Sequence, residues 1–488
     1  MSKPAAATTL SERATAAVAD ENLQTSLRSL TGVLRFLAYN AAKNPAVKER
    51  RATATRIRQE TAAELDTWLE RLEESLVAAG CVVHHAPTRE AAVRIVVDLA
   101  RQEDIRLVVK GKSMATEEVH LNAALEAEGI EVLETDLGEY IVQLAHEPPS
   151  HIVGPALHKR LPEITELFST VAGRPLPEDA QALCEFARGE LRPKFLQAGM
   201  GITGANFAAA DTGTIVLVTN EGNGRLCSSM PRIHVAVVPV DKVVPRLADV
   251  PTIVAALVNA ATGQPLTTYV SMITGPRREG EVDGPEQVHV VLLDHGRRRL
   301  VGTKYQPMLA CVRCGACLNA CPVYAKIGGH AYGSVYSGPM GAILTPLLSG
   351  GAEGSELPDA SSLCGACTEA CPVGIPLADL LVHLRADLSH TDEADWPIGV
   401  AAQGGRSRRR AFRAWARMWS SPLGYRTSTA SARLGARALA RGKGWLTGAP
   451  LAKGWSSQRD VPVPPARSFR ALWAARQSDP GAWDHLGS

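Results

Sequence analysis

CVRCGACLNACP, Cys311 to Pro322, and its echo SSLCGACTEACP, Ser361 to Pro372, decide how this sequence is read. The first copy has the C-x2-C-x2-C-x3-C-P spacing of bacterial ferredoxins, in which three close thiolates bind one iron–sulfur cluster and the fourth cysteine serves another. Two residues between ligands make a tight turn that aims successive sulfurs at one centre, and three residues carry the next sulfur out of reach. Gly315 suits such a turn, and Pro322 fixes the chain direction after it. Applied reciprocally, the rule assigns Cys311, Cys314, Cys317 and Cys371 to one cluster and Cys321, Cys364 and Cys367 to the other.

Aligning the copies by their Cys-Pro ends puts Ser361 where the second cluster's fourth ligand belongs. Three outcomes are open: a [3Fe-4S] cluster; a [4Fe-4S] cluster whose last iron takes Ser361, another side chain or solvent; or no stable second cluster. We favour two [4Fe-4S] clusters, the second with a weak or exchangeable ligand. Zinc sites also use CxxC pairs. Two pairs suffice for zinc, however, which leaves the third cysteine of each triplet and both Cys-Pro dipeptides without a role.

Seven of the ten cysteines lie between Cys311 and Cys371, a clustering that suits metal ligands in a reducing compartment better than a disulfide framework. The N-terminus lacks the basic start and apolar stretch of a signal peptide, and no long uncharged apolar run follows, so a soluble, cytoplasmic protein is expected. Isolated Cys81, Cys184 and Cys227 read as small buried hydrophobes.

At 488 residues the chain should hold several domains. Residues 1–79 carry helical spacing, with Leu27, Leu30, Leu34 and Leu37 on one face and Leu65, Leu69, Leu72 and Leu76 on another, and Gly80 reads as a helix end. From 80 to 300, short runs such as CVVHHA, IRLVVKGKS and IEVLETDLG alternate with helix-length patterns, among them MATEEVHLNAALEAEG. This predicts an α/β domain with a parallel sheet covered on both faces, and EQVHVVLLDHGRRRL as its last strand. Residues 301–390 form a cysteine-rich, ferredoxin-type segment with too little apolar mass to fold well alone; bound metal would supply what its core lacks.

Residues 391–488 form a basic tail. From residue 401 onward there are 16 Lys and Arg against three acids, and seven of the eight tryptophans lie at 396, 415, 419, 445, 455, 473 and 483. FRAWARMW reads as an amphipathic helix, and the part after Arg459 as largely extended or weakly ordered, since VPVPPAR cannot be helical. Such a tail suits docking to acidic partner subunits, a peripheral membrane contact or nucleic-acid binding, and a solvated tail is the plain alternative. Partner docking is preferred, because an electron carrier must approach a donor and an acceptor; no nucleic acid is expected.

Three further groups could bind ligands. KGKSM places Gly111, Lys112 and Ser113 at a strand-to-helix turn, which would hold a phosphate or carboxylate, although Ser113 as an N-cap explains the same pattern. ITGANFAAADTG and TNEGNG put Asn206 and Asp211 before a strand and Asn220 and Glu221 after it, with Glu221 a candidate acid. His120, His146, His151 and His158 fit no ligand pattern and read as ordinary exposed histidines. No Ser/His/Asp or HExxH pattern occurs, nor a GxGxxG after a strand.

The stretches VVKGKSMATEEVHLNAALEAEGIEVLETDLGEYIVQL and ITGANFAAADTGTIVLVTNEGNGRL, followed by the two cysteine motifs, resemble the lactate utilization protein B family over about residues 20–385. The resemblance implies a NagB/RpiA/CoA-transferase-like α/β fold, two clusters, and electron transfer with partner subunits in oxidising L-lactate to pyruvate. It also implies that the three-cysteine second motif is normal for the type. Two functions compete: an electron relay, which the resemblance places between a lactate-oxidising partner and a downstream acceptor such as a quinone-linked one, or a self-contained enzyme whose α/β domain binds an acidic or phosphorylated substrate, with the clusters as an internal wire.

Overall fold

The structure is a computed structural model and describes residues 9–351, 353–389, 406–440, 442–446 and 460–478. Residues up to Gln403 and those from Gly404 form two separate compact units.

The first unit starts with four helices, α1 (Leu10–Ala19), α2 (Glu21–Ala41), α3 (Pro45–Ala63) and α4 (Leu65–Ala78). Their starts are encoded locally: Asp20 caps α2 by accepting from the Leu23 amide, and Asn44 caps α3 ahead of Pro45, whose fixed φ suits a first turn. On α4, Leu65, Leu69, Leu72 and Leu76 are all buried, and Gly80 takes the left-handed conformation just beyond the helix end. The α2 face is narrower than its leucine spacing predicts. Leu27 is buried but the Leu37 side chain is exposed.

The α/β part follows as β1 (Val82–Ala86), α5 (Arg89–Gln102), β2 (Leu107–Lys110), α6 (Met114–Glu118), α7 (Leu121–Ala127), β3 (Glu131–Glu134), α8 (Leu137–Leu144), α9 (Leu161–Ala172), α10 (Ala180–Gln197), β4 (Met200–Thr203), β5 (Phe207–Ala209), β6 (Thr214–Thr219), α11 (Asn223–Ser229), β7 (Ile233–Pro239), β8 (Val243–Val244), α12 (Val250–Thr262), β9 (Tyr269–Ile273) and β10 (Gln287–Leu293). The expected MATEEVHLNAALEAEG helix is two helices, broken where His120 adopts a left-handed conformation. Six strands form one wholly parallel sheet in the order β1-β10-β7-β4-β2-β3. The last strand thus enters the sheet's interior between β1 and β7. Apolar clusters cover both faces, as a parallel sheet requires. A second, mixed sheet, β8-β5-β6-β9, was not legible in the sequence.

The strand order fixes where a ligand could sit. From β2 the chain moves outward to β3, whereas from β4 it moves the other way, through β7 to β10. The loops after β2 and β4 therefore diverge and open a crevice at the carboxyl ends of the strands, the usual ligand position in such sheets.

The cysteine-rich segment comprises α13 (Ala316–Ala320), α14 (Tyr324–Ile327), α15 (Gly338–Leu348), α16 (Ala366–Ala370) and α17 (Leu377–Ser389). It shares one continuous core with α2, α3, α4 and one sheet face, through residues such as Leu27, Ile57, Leu72, Val290, Leu318, Tyr324 and Leu381. Polar clamps reinforce this. Arg13 donates to the Ala331 carbonyl, Gln24 to Lys326 O at 2.7 Å, and the fully buried Arg58 to Val243 O at 2.5 Å, Leu309 O at 2.8 Å and Ala310 O at 3.3 Å, as well as to Asp241 O.

In the second unit, α18 (Arg406–Ser420) exposes Phe412, Trp415 and Trp419 among arginines, which agrees with the amphipathic reading of FRAWARMW, and α19 (Pro422–Ala440) follows it. Beyond Arg459 the chain is not all extended: Phe469–Ser478 is helical, because the prolines stop at Pro465 and leave a good helix-forming run. Trp396, Trp455 and Trp483 lie outside the described residues. Among the described residues no helix is long and apolar enough to cross a membrane.

Arg58 satisfies four carbonyls contributed by the sheet region and the entry to the first motif. Replacing it with Met should lower unfolding free energy by about 4 kcal/mol, at roughly 1 kcal/mol per lost hydrogen bond, as read from chemical denaturation. An unchanged midpoint would show that water replaces the guanidinium without cost.

Candidate functional site

The two cysteine motifs have the same backbone. Arg313 and Leu363 stand at matching places with φ of 57° and 55°, Gly315 and Gly365 follow with φ of 76° and 83°, and each motif then makes a one-turn helix ending at the cysteine before proline. A left-handed conformation is cheap for glycine and strained for Arg or Leu, so its repetition marks a shape imposed by the surroundings. Ser361 therefore occupies the place that Cys311 has in the first copy. Its hydroxyl accepts from the Leu363 amide at 3.1 Å, and its carbonyl accepts from Arg385 at 3.0 Å.

Cys311, Cys314, Cys317 and Cys371 line one small cavity, with Val312, Met340, Val373 and Ile375 among its walls. Burial pushes the thiol of Cys314 up to about 12 and that of Cys371 up to about 11, and Cys317 is also raised; the neighbouring thiols add to each shift. Backbone amides point at the sulfurs from the other side, including Ile375 N to Cys371 Sγ at 3.4 Å. Cys321, Cys364 and Cys367 form a second group: burial raises the thiols of Cys321 and Cys367, neighbouring thiols of the group add to it, and Tyr324 N lies 3.5 Å from Cys321 Sγ. Cys364 is exposed, and the Ala366 amide, the Ser362 hydroxyl and Arg35 lower its pKa. Among the described residues no three His, Cys, Asp or Glu side chains close on a single metal ion. Sulfurs set around a cavity suit a polynuclear group better, since each then meets its own metal atom.

Beneath the first set lies a buried charge network absent from the sequence reading. Arg297 donates to Glu118 at 2.9 and 2.6 Å and to Asp241 at 2.7 Å; Lys242 donates to Asp241 at 3.1 Å and to Cys311 O at 2.7 Å; Arg313 reaches Asp241 at 3.4 Å. These cations hold the Asp241 carboxyl far below its ordinary range despite its burial, while burial and Arg313 lower Lys242 to about 8. The available signal was the charged pair Asp241-Lys242 inside the apolar run VAVVPVDKVVP.

Above this network the crevice forms a cavity of about 270 Å3. It is lined by the loops after β2 and β4, by Asn220 and Glu221, and by Arg313, Cys314 and Tyr336 of the cysteine segment. The β5–β6 hairpin folds Asn206 back beside Val218, whose amide donates to Asn206 Oδ1 at 2.8 Å, so Asn206 joins Asn220 and Glu221 at one end. Asp211 lies away from them and accepts from Leu247 N at 2.9 Å. Ser113 caps α6 by accepting from Thr116 N, and Lys112 is tied to Val153 O at 3.2 Å and Asp136 at 3.7 Å, so KGKSM follows its plain structural account.

Of the other cysteines, Cys81 and Cys227 are buried as expected and Cys184 is exposed. His120 and His146 are exposed, but His151 is buried, with Nε2 3.2 Å from Asn319 Oδ1, and His158 Nε2 is 2.6 Å from Glu147. The four histidines do not converge.

A doubly wound α/β domain with a ferredoxin-type cysteine segment packed on its carboxyl edge defines a class of iron–sulfur protein. Family models agree: the LUD domain matches residues 69–293, and the 4Fe-4S dicluster domain matches 307–375. The chain is 43% identical over 432 residues to lactate utilization protein B of Bacillus velezensis, covering 88% of this chain and 89% of that one. It is 41% identical over 472 residues to the Bacillus licheniformis protein of that name, at 96% and 97% coverage. The chain belongs to the lactate utilization protein B family. A solved DUF162 family protein from Deinococcus radiodurans is 18% identical, covers 47% of this chain and 98% of its own, and has a TM-score of 0.27, too low to argue from.

Burial depresses the His151 pKa to about 4, so its imidazole stays neutral in the fold and protonates more readily in the unfolded chain. The resulting stability is present above about pH 6.5 and is lost as pH falls towards 4. His151→Gln should lose less stability than the parent between about pH 7 and about pH 5 in denaturant titrations; equal losses would contradict the assignment.

Proposed function

We propose that this chain is an iron–sulfur electron carrier in lactate utilization, relaying single electrons from a partner subunit that oxidises L-lactate to pyruvate towards a downstream acceptor. One observation carries the reading: sulfurs from both motifs, Cys311, Cys314, Cys317 and Cys371, line one cavity. The relatives' name and the dicluster model support it.

The residues fit two clusters. In the first set three of the four cysteines are buried, apolar walls exclude water, and amides face the sulfurs, an arrangement that stabilises thiolate ligands once metal displaces their protons. Cys321, Cys364 and Cys367 would hold the second, with Ser361 in the fourth place. When bound, such clusters supply one-electron redox chemistry. This chain's part is to hold one centre in a dry interior and, through exposed Cys364, to present the other at the surface, where a partner can approach. The aromatic face of α18 is a docking surface for partner subunits of the same system, with a peripheral, quinone-linked acceptor as the membrane alternative. The cytoplasm, where thiols stay reduced, suits this role.

Anaerobic iron and acid-labile sulfide analysis with EPR, on the parent and on Ser361→Cys, tests the reading. About eight irons per chain are expected, with the variant altering only the second centre's signal. About seven irons and a signal in the oxidised state would make the second cluster [3Fe-4S], and zinc in place of iron would sink the proposal.

A further inference from the structure

We propose that the 270 Å3 cavity at the carboxyl edge of the sheet is a binding site for a small organic carboxylate, gripped by Arg313 and Lys242 beside the first set of cysteines. This goes beyond the carrier role, which requires no ligand pocket in this chain.

Arg313 Nη1 is buried without a hydrogen-bond partner, and the side chain is 9% exposed. Its Nη2 reaches Asp241, and the guanidinium lies over the Tyr336 ring at 5.1 Å, so its position is fixed while one donor edge stays unused. A buried, unsatisfied charged donor costs free energy, which an anion in the cavity would recover. Lys242, also in the lining, spends two of its three protons on Asp241 and the Cys311 carbonyl, and has one to spare. Arg297, Arg313 and Lys242 all converge on the one carboxylate of Asp241, so none of the three has that anion to itself.

The lining bears on the class of anion. Beside polar groups such as Lys112, Thr219 and Asn220 it includes Leu217, Leu257, Val258 and Ala261, an apolar wall that suits an organic body better than a fully hydrated phosphate. Helix α6, which starts at the cavity, is a single turn already capped by Ser113. The volume lies near the lower end of the roughly 300–1,000 Å3 usual for small-molecule sites, so the ligand is small. A small organic carboxylate meets these conditions, and Asn206, also in the lining, offers it an amide.

Isothermal titration calorimetry of the full, cluster-reconstituted chain with L-lactate, pyruvate and inorganic phosphate tests this. Saturable binding of a carboxylate, with phosphate far weaker, is expected, and Arg313→Gln should weaken it about tenfold or more. Ala261→Leu fills the cavity without touching a charge; it should abolish binding at unchanged iron content, and it decides the matter if the arginine variant does not fold. Carboxylate binding by a chain that proves to carry no iron would support the pocket while sinking the carrier reading. Iron-loaded protein that binds neither acid overturns the pocket alone. So does an Arg313→Gln variant that shifts the cluster signal at unchanged carboxylate affinity, since the guanidinium would then serve the cluster.

Discussion

Asp241 is the point on which the rest of the structure turns. A carboxylate with 2% exposure survives in a protein interior only when cations surround it, and here they are Lys242 next to it in sequence and, from farther along the chain, Arg297 after the last strand and Arg313 inside the first cysteine motif. Arg58 of α3 closes the arrangement from below by binding the carbonyls of Asp241, Val243, Leu309 and Ala310. Removing any one member leaves buried charge or buried carbonyls unpaired. The N-terminal helices, the sheet edge and the first motif are thereby held in a single register.

This register explains how a segment poor in apolar mass keeps its shape. Residues 301–390 do not build a core of their own; their leucines and tyrosines complete one that α2, α3, α4 and the sheet have begun. The helical lead-in is therefore part of the cysteine region in space, although some 250 residues separate them in sequence. The asymmetry between the two cysteine sets has the same origin. The first is pressed against the network and the sheet edge, whereas the second lies beside α2, where Arg35 acts on Cys364 and solvent reaches it.

Much of this was legible because it is local. The alternating strand and helix patterns follow side-chain periodicity, and the turn at each cysteine motif follows from spacing and a glycine. Where reading failed, a distant contact had overruled a local preference. Periodicity could not see that His120 would break a helix or that β10 would be inserted between β1 and β7, since strand order depends on the whole sheet. It placed Asn206 and Asn220 at opposite ends of a strand, and an antiparallel hairpin brought them together. Cys184 was taken for a core residue because cysteine usually is one, yet it faces solvent on α10.

By itself, the sequence determined the backbone of the two motifs, the position at which Ser361 replaces a sulfur, and the alternation that makes a parallel sheet, since each rests on residues a few places apart. Only the tertiary structure decided what surrounds the cysteines: a positively charged floor, an unused guanidinium edge and a cavity between sheet and motif. Those features join residues up to about 250 positions apart, and whether a buried charge finds its partner depends on the folded path of the chain, which short-range spacing does not encode.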